Sequence, residues 1–379
     1  MRIIDRYMLR QFVQIFLICF LSLTGLYVVF DSFSHLDEFL RFSEEKGNLL
    51  QVMGEYYAYR SVFFFDQTSG ILALISAMFT LTWIQRHNEM MALSAAGVRP
   101  VRIMAPVLAA AATISLLAAV NREVTIPALR HELNRDVRNL NGDREKPFES
   151  ASYDHATDIL FHGRYTVRSE KRIRSPRLLL PPELDDLGRE FLARDAYFLD
   201  ATADHPAGVL LRGVEQPRDV ATALSIRSQQ RPIIITPRDA GQWLKPDECF
   251  VVSNMAFEQL TGGSNWQQFS STSELIAGLS NRSLDYGADV RVSIHSRLMQ
   301  PFLDLTLLLL GLPLVVSREN RNMFVAIGLS ICVVAGFMLL VVGSRILGTY
   351  QLLNPALAAW LPLIVCVPAV AATSDALWE

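Results

Sequence analysis

The feature that most limits how this 379-residue chain can fold is an interruption. Three long apolar stretches lie before Arg122, three more lie after Arg297, and a mostly polar segment separates the two groups. A bilayer core about 30 Å thick takes about 20 apolar residues per helix, and each stretch is near that length. The expected spans are residues 12–32, 61–83, 101–121, 299–316, 323–344 and 355–373. Their Leu, Val, Ile and Phe favour transfer into lipid, and none of the six contains a lysine. The overall composition, 51% hydrophobic and 19% charged, conceals this division because the charge sits in the middle third and the short loops. Arg2, Arg6 and Arg10 precede the first stretch as they would a secretory signal. Asp31, Ser32, Phe33 and Ser34 follow it instead of a small-residue cleavage site, so an uncleaved first span is expected.

Arginine placement orients the spans. Arg2, Arg6 and Arg10 precede span one, Arg86, His87, Arg99 and Arg102 lie between spans two and three, and Arg318 and Arg321 lie between spans four and five. These are alternate loops on one face, and the positive-inside rule makes that face cytoplasmic. The acidic loop with Asp37, Glu38, Glu44 and Glu45 then falls on the opposite side with the polar segment, which in a bacterial inner membrane is the periplasm. A net charge of -3 identifies no class of partner. Asp66, Gln67, Asp304 and Arg345 fall within spans. A polar group in hydrocarbon is costly, so each marks either a functional contact or, more commonly, pairing between helices or snorkelling at a span end.

From Asp154 the pattern changes to short runs with a period of two, broken by Pro, Gly and Asp. They are Asp158–His162, Tyr165–Arg168, Arg177–Leu180, Ala196–Asp200, Gly208–Gly213, Pro232–Thr236 and Cys249–Val252. This reads as antiparallel β structure: a sandwich, a jelly roll or an open barrel. Pro181–Arg194 is expected to be a short helix or ordered insertion. Val124–Leu140 should continue helically out of span three, and Thr272–Leu279 should lead back as a helix with Ser273 as N-cap. Of four cysteines, Cys19, Cys332 and Cys366 lie in apolar stretches, which leaves Cys249 without a disulfide partner in the polar segment.

Enzyme readings find little support. His155, His162 and His205 have Asp154, Asp158 and Asp204 nearby, but not at helical metal-ligand spacing, and there is no Gly-x-Ser-x-Gly elbow. No catalytic residue and no metal ligand is assigned. A phosphate-binding loop needs glycine amides followed by a lysine, and none of Lys46, Lys146, Lys171 and Lys245 follows a glycine. Transport work would therefore draw on a partner or an ion gradient, and the few spans and large insert favour a partner.

The loop between spans two and three offers the contact point. Arg86–Pro100 reads as a short helix with Asn88 as N-cap, Glu89 in the first turn where the helix dipole favours an anion, and Gly97 at C′. Met90, Leu93 and Gly97 share one face, with Met91, Ser94 and Ala95 beside it. Methionine suits a surface that repacks against another protein. The same spacing also fits a turn resting on lipid headgroups.

At this loop the chain resembles the LptF/LptG (YjgP/YjgQ) permease family, whose members carry a Glu-Met-x-Ala-Leu-x-Ala-x-Gly segment, here Glu89-Met90-Met91-Ala92-Leu93-Ser94-Ala95-Ala96-Gly97. Three other places agree in order: Ile4-Asp5-Arg6-Tyr7-Met8-Leu9-Arg10, His295-Ser296-Arg297-Leu298-Met299-Gln300-Pro301, and Asn354-Pro355 to Trp360-Leu361-Pro362. The resemblance implies six transmembrane helices with an inserted all-β, jellyroll-like periplasmic domain between helices three and four. The corresponding segments are 1–122, 123–294 and 295–379, with a cytoplasmic coupling helix at about 86–100. It implies an inner-membrane protein with both termini cytoplasmic, non-catalytic itself, working with a second LptF/LptG-type permease and an LptB-like ATPase dimer that uses ATP and Mg. The cargo would be lipopolysaccharide or a similar glycolipid, passed to LptC/LptA-like jellyroll proteins, with no nucleic acid and no cofactor bound by this chain. Asn88, Glu89, Met90, Met91, Leu93 and Gly97 would meet the ATPase, Glu89 pairing with a basic residue while Met90, Met91 and Leu93 fill a groove.

One departure concerns the cargo site. Family members of the LptG type have basic residues at the periplasmic end of span one, where this chain has Asp31, Ser32, His35, Asp37 and Glu38. Arg41, Lys46 and Arg60 are the nearest cations, and Phe16, Phe20, Phe337 and Leu340 are candidates for apolar cavity walls. Either the partner permease supplies the cations or the cargo carries less phosphate. Two other readings remain open: a mechanotransmitting ABC-type permease that drives an envelope partner, and a membrane-anchored assembly scaffold without energy coupling. Ion-driven transport ranks last.

Overall fold

The structure is a computed structural model. It describes residues 3–134, 146–148, 152–167, 169–202, 205–228, 231–241, 243–257, 265–281, 283, 287–316 and 323–378. The chain forms two compact units, Met1–Leu133 with Gly287–Glu379, and Asn134–Tyr286.

In the first unit the helices are α1 (Ile3–Ser34), α2 (Leu36–Lys46), α3 (Leu49–Arg86), α4 (Glu89–Ala95) and α5 (Pro100–Val120). A π-helical turn at Asn121–Thr125 and two short helices, α6 (Ile126–Ala128) and α7 (Arg130–Leu133), follow. After the second unit come α11 (Ala288–Val316), α12 (Met323–Thr349) and α13 (Pro355–Trp378). Among the described residues, five segments are long and apolar enough to cross a membrane: Ile3–Ser34, Leu49–Arg86, Val101–Ala128, Ile331–Thr349 and Pro355–Ala372. The fourth expected stretch lies within α11, a helix of 29 residues that is not among these five.

Two boundaries differ from expectation. The acidic segment read as a loop is the helix α2, because Leu36, Phe39 and Leu40 recur at helical spacing and bury Phe39 against Tyr56 and Tyr57. The helical continuation from Val124 runs only to Leu133, and residues 135–140 lie outside those described.

Within this unit α11 is the hub, packing on α3, α5, α12 and α13, while α1 packs on α3 and α5. Their shared core holds Phe12, Leu74, Leu81, Met104, Leu307 and Leu312. Burial from water does not drive helices together inside lipid, so close fit and satisfied polar groups must. Gly311 lets α11 approach the Leu74 side chain, and Gly348 lets α12 approach Ala358 and Val292. The buried hydroxyls of Ser76 and Thr80 donate to the Leu72 and Ser76 carbonyls at 2.6 and 2.7 Å.

Among the described residues the second unit is one antiparallel sheet of eleven strands. They are β1 (Lys146–Pro147), β2 (Ser152–Asp154), β3 (Ile159–His162), β4 (Tyr165–Val167), β5 (Arg172–Arg174) and β6 (Arg177–Leu179). The rest are β7 (Glu190–Leu199), β8 (Gly208–Gln216), β9 (Ile226–Ser228), β10 (Arg231–Ile235) and β11 (Glu248–Val252). The expected runs each fall on a strand. Pro181–Arg194 is a 3-10 turn at Pro182–Leu187 followed by the start of β7, since Phe191 and Ala193 point into the core as alternate strand residues. Short helices α8 (Pro237–Ala240), α9 (Asn265–Phe269) and α10 (Thr272–Leu279) complete the unit. Ser271, not Ser273, caps α10. Its hydroxyl accepts from the Glu274 N–H at 3.1 Å while the Glu274 carboxylate accepts from the Ser271 N–H at 3.0 Å, a reciprocal pair that only this spacing permits.

Several short strands are halves of longer, folded ones. β5 and β6 keep one register against β7, from Arg172 opposite Tyr197 to Leu179 opposite Glu190, with a fold at Ser175-Pro176. β3 and β4 keep one register against that folded strand, with the break at Gly163-Arg164. Backbone bonds persist across the crease, from the Arg164 N–H to the Arg174 carbonyl at 3.0 Å and from the Ser175 N–H to the Arg194 carbonyl at 2.8 Å. Ser175 lies at φ 46, and a bulge between Leu192 and Ala193 carries the bend into the β7–β8 pairing. Folded in this way, the sheet wraps Ile159, Phe161, Ile173, Phe191, Leu211 and Val251 into one core. β8 and β11 are buried on both faces, since Leu210 and Phe250 pack beneath Leu244 on the opposite side. Cys249 is fully buried, and desolvation pushes its thiol up to about 12, so it stays protonated at neutral pH.

A Cβ at Gly163 would collide with the Cγ2 of Ile173 at the crease. Gly163→Ala should destabilise the β unit by about 1–3 kcal/mol, measured as faster proteolysis of residues 146–257 in the full-length protein with the apolar helices unaffected.

Candidate functional site

α3 runs to Arg86, where His87 Nδ1–H donates to the Trp83 carbonyl at 2.8 Å and the His87 ring packs on the Trp83 ring. The chain then reverses at Asn88, whose φ of 59 and ψ of 13 are left-handed. Asn88 does precede the first residue of α4, but its side chain caps nothing. N-cap side chains reach the first amides from an extended backbone, whereas here asparagine serves as the residue that tolerates the left-handed turn. At the other end Gly97 sits at φ 79, its N–H bonds the Ser94 carbonyl at 2.9 Å, and the Val98 N–H bonds the Leu93 carbonyl at 3.0 Å. This Schellman closure needs a left-handed residue, which glycine supplies without strain. Pro100 then opens α5 at a position where its missing N–H costs nothing.

The faces of α4 divide sharply. Met90 and Leu93 are half-buried and pack, with Val98 and Val101, against the core of the helical unit. Met91 is 71% exposed, with Ala92 and Ala95 also exposed beside it. The three apolar residues expected to share one docking role are thus split, two anchoring α4 to its own protein and one presented outward. Glu89 is half-buried, and both of its carboxylate oxygens accept from the Tyr7 hydroxyl, at 3.2 and 3.4 Å. Beside it, Arg102 pairs with Asp5 at 3.8 Å.

A second constellation lies inside the helices. Asp66 on α3 is buried and accepts from Arg122 Nε at 3.0 and 3.2 Å and from Nη2 at 3.0 Å. The π-helical turn aims Arg122 there, and it also brings Asn121 to the Val62 carbonyl at 3.0 Å. Deeper along α11, the buried Asp304 accepts from the Ser115 hydroxyl at 2.7 Å and from Gln300 Nε2 at 2.9 Å. Gln300 in turn accepts from Arg345 Nη2 at 2.9 Å. Gly70 makes the room, since a Cβ there would strike the Asp304 carboxylate. Three of the four polar residues expected within spans therefore pair between helices, and Gln67 faces outward. Sequence reasoning missed Ser115, Arg122 and Gln300 as their partners, because none carries a signal apart from its neighbour in space.

The cargo candidates are dispersed. Phe16 and Phe337 are buried in the helical core and already covered by protein, whereas Phe20 and Leu340 pack half-buried against it. The outward faces of these helices are instead carried by residues such as Leu21 on α1 and Leu339 on α12. Arg60 is half-buried with its guanidinium 5.2 Å from the Tyr56 ring centre, Arg41 is exposed on α2, and the Lys46 side chain lies outside the described residues. Asp31 is occupied by the Tyr57 hydroxyl at 2.9 Å and by His35 at 3.6 Å. In the β unit, Asp154 serves the fold, accepting from the Ser253 hydroxyl at 2.6 Å and the Ala156 N–H at 2.9 Å. Among the described residues no group of three His, Cys, Asp or Glu side chains is placed to hold a metal.

Removing one partner of a buried ion pair strands the other charge, a loss of about 3–5 kcal/mol, whereas replacing both with apolar groups is often neutral. Arg122→Ala should therefore lower thermal stability in detergent substantially, and Asp66→Leu/Arg122→Met should recover most of the loss.

Comparison with individually curated proteins gives no match. The chain does match the family described as "Lipopolysaccharide export system permease LptF/LptG" over residues 6–173 and 212–374, which takes in nearly all of the helical unit, β1 to β4 with part of β5, and the sheet from Arg212 in β8 to β11, while β6 and β7 fall in the gap. With most of its length matched, this membrane-helical chain with its antiparallel β unit belongs to the LptF/LptG family.

Proposed function

We propose that this chain is one permease subunit of an ATP-driven exporter that extracts lipopolysaccharide, or a related glycolipid, from the inner membrane. It crosses the membrane six times, with both termini and α4 in the cytoplasm. The creased β unit is periplasmic, a jellyroll-like slide that hands lipid to similar domains of bridge proteins. A second permease of the same type and an ATPase dimer complete the machine. The observation that carries this reading is the build of α4. A left-handed turn and a Schellman closure fix both ends of the helix, Met90 and Leu93 fasten it to the helical core, and Met91 and an acidic first turn remain near the surface. A short helix held this firmly can pass a push from a docked partner to α3 and α5. Flanking arginines at positions 86, 99 and 102 are all exposed and agree with a cytoplasmic position.

Coupling and cargo are tested separately. Tagged protein should recover a nucleotide-binding subunit from membranes, and Glu89→Arg should cut that recovery at least about tenfold, since reversing one charge of a pair costs several kcal/mol. Recovery that is unchanged by Glu89→Arg would remove α4 from the ATPase contact. A photoreactive residue at Leu21 or Leu339 should capture lipopolysaccharide. An intact ATPase complex without any lipid adduct would instead favour the mechanotransmitting reading.

A further inference from the structure

We propose that Tyr7 is the positioning residue for Glu89, and that its hydroxyl joins the first helix directly to the segment that meets the ATPase. The proposal rests on the coupling role of α4 given above. A carboxylate only accepts, so the Tyr7 hydroxyl donates to Glu89, reaching both oxygens and fixing the plane of the carboxylate. Glu89 has other lone pairs to spare, and a basic group on a partner can bond it while Tyr7 stays in place. The contact matters because α4 lacks a conventional start: Asn88 gives it no side-chain cap, and among the described residues no other side-chain hydrogen bond holds Glu89. Tyr7 therefore holds the first turn, while Met90 and Leu93 hold the rest.

The same turn of α1 grips the cytoplasmic hairpin twice. Tyr7 holds α4, and Asp5 holds the first turn of α5 through Arg102. α1 is a single helix of 32 residues, about 48 Å long at 1.5 Å per residue, so a tilt at its first turns is carried along its length. Ile4, Tyr7, Met8, Ile84, Glu89, Ala92 and Leu93 also line a cavity of about 280 Å³, which leaves the Tyr7 ring room to shift without breaking the core. Docking of a partner on α4 then reaches α1 through one hydroxyl, in parallel with the route through α3 and α5.

The test uses the full complex with its copurifying ATPase, in vesicles loaded with lipopolysaccharide. Tyr7→Phe keeps the ring and loses only the hydroxyl. It should leave ATPase recovery unchanged and lower the lipid released per ATP hydrolysed at least about threefold. Adding Tyr7→Phe to Glu89→Ala, which leaves the hydroxyl no acceptor, should cause no further fall in lipid per ATP, because the two act through one bond. The proposal is overturned if Tyr7→Phe leaves lipid per ATP unchanged, if it removes the ATPase, or if the two substitutions act independently. Failure of the coupling role itself is told apart by Glu89→Arg, which would then leave ATPase recovery intact.

Discussion

The ion pair between Asp66 and Arg122 fixes the end of α5 against α3. Lipid offers no water to solvate a stranded charge, so an acid and a base inside apolar helices are tolerable only when each finds the other. Arg122 finds Asp66 because the helix after α5 loosens into a π turn at that point, which rotates Asn121 and Arg122 onto α3. A regular helix would present a different face. The chain from Ser115 through Asp304 and Gln300 to Arg345 extends the same logic and ties α5 and α12 to α11. Gly70, Gly311 and Gly348 allow the approaches that this hub requires.

The β unit obeys a different constraint. Its strands are long enough to wrap a core only because they fold at a shared crease, and the fold keeps register on both sides so that few ladder bonds are lost. Gly163, Ser175-Pro176 and the bulge at Leu192 and Ala193 align across neighbouring strands. Burial on both faces of β8 and β11 then follows, since the bent sheet has one apolar surface inside and another covered by the segment around Leu244.

α4 shows how a short element can be held rigidly. Its ends are fixed by backbone geometry, one side is fixed by packing, and its first carboxylate is held by a tyrosine from the first helix. Held on three sides, the helix leaves its Met91 face exposed.

Much of this was legible in the sequence. Lipid thickness makes long apolar runs unmistakable, period-two runs marked the strands of the β unit, and Gly97 announced the end of α4 because a left-handed closure favours glycine. The family resemblance also arose from short runs of adjacent residues, above all Glu89–Gly97. The sequence alone could not pair Asp66 with Arg122, 56 positions apart, or Ser115 with Asp304, 189 positions apart. Nor could it assign Met90 and Met91 to opposite roles, tell the buried Phe16 and Phe337 from the exposed Leu21 and Leu339, or see that β5 and β6 are one strand. Local pattern records what each residue prefers; which preference is met depends on neighbours that only the packed chain brings within reach.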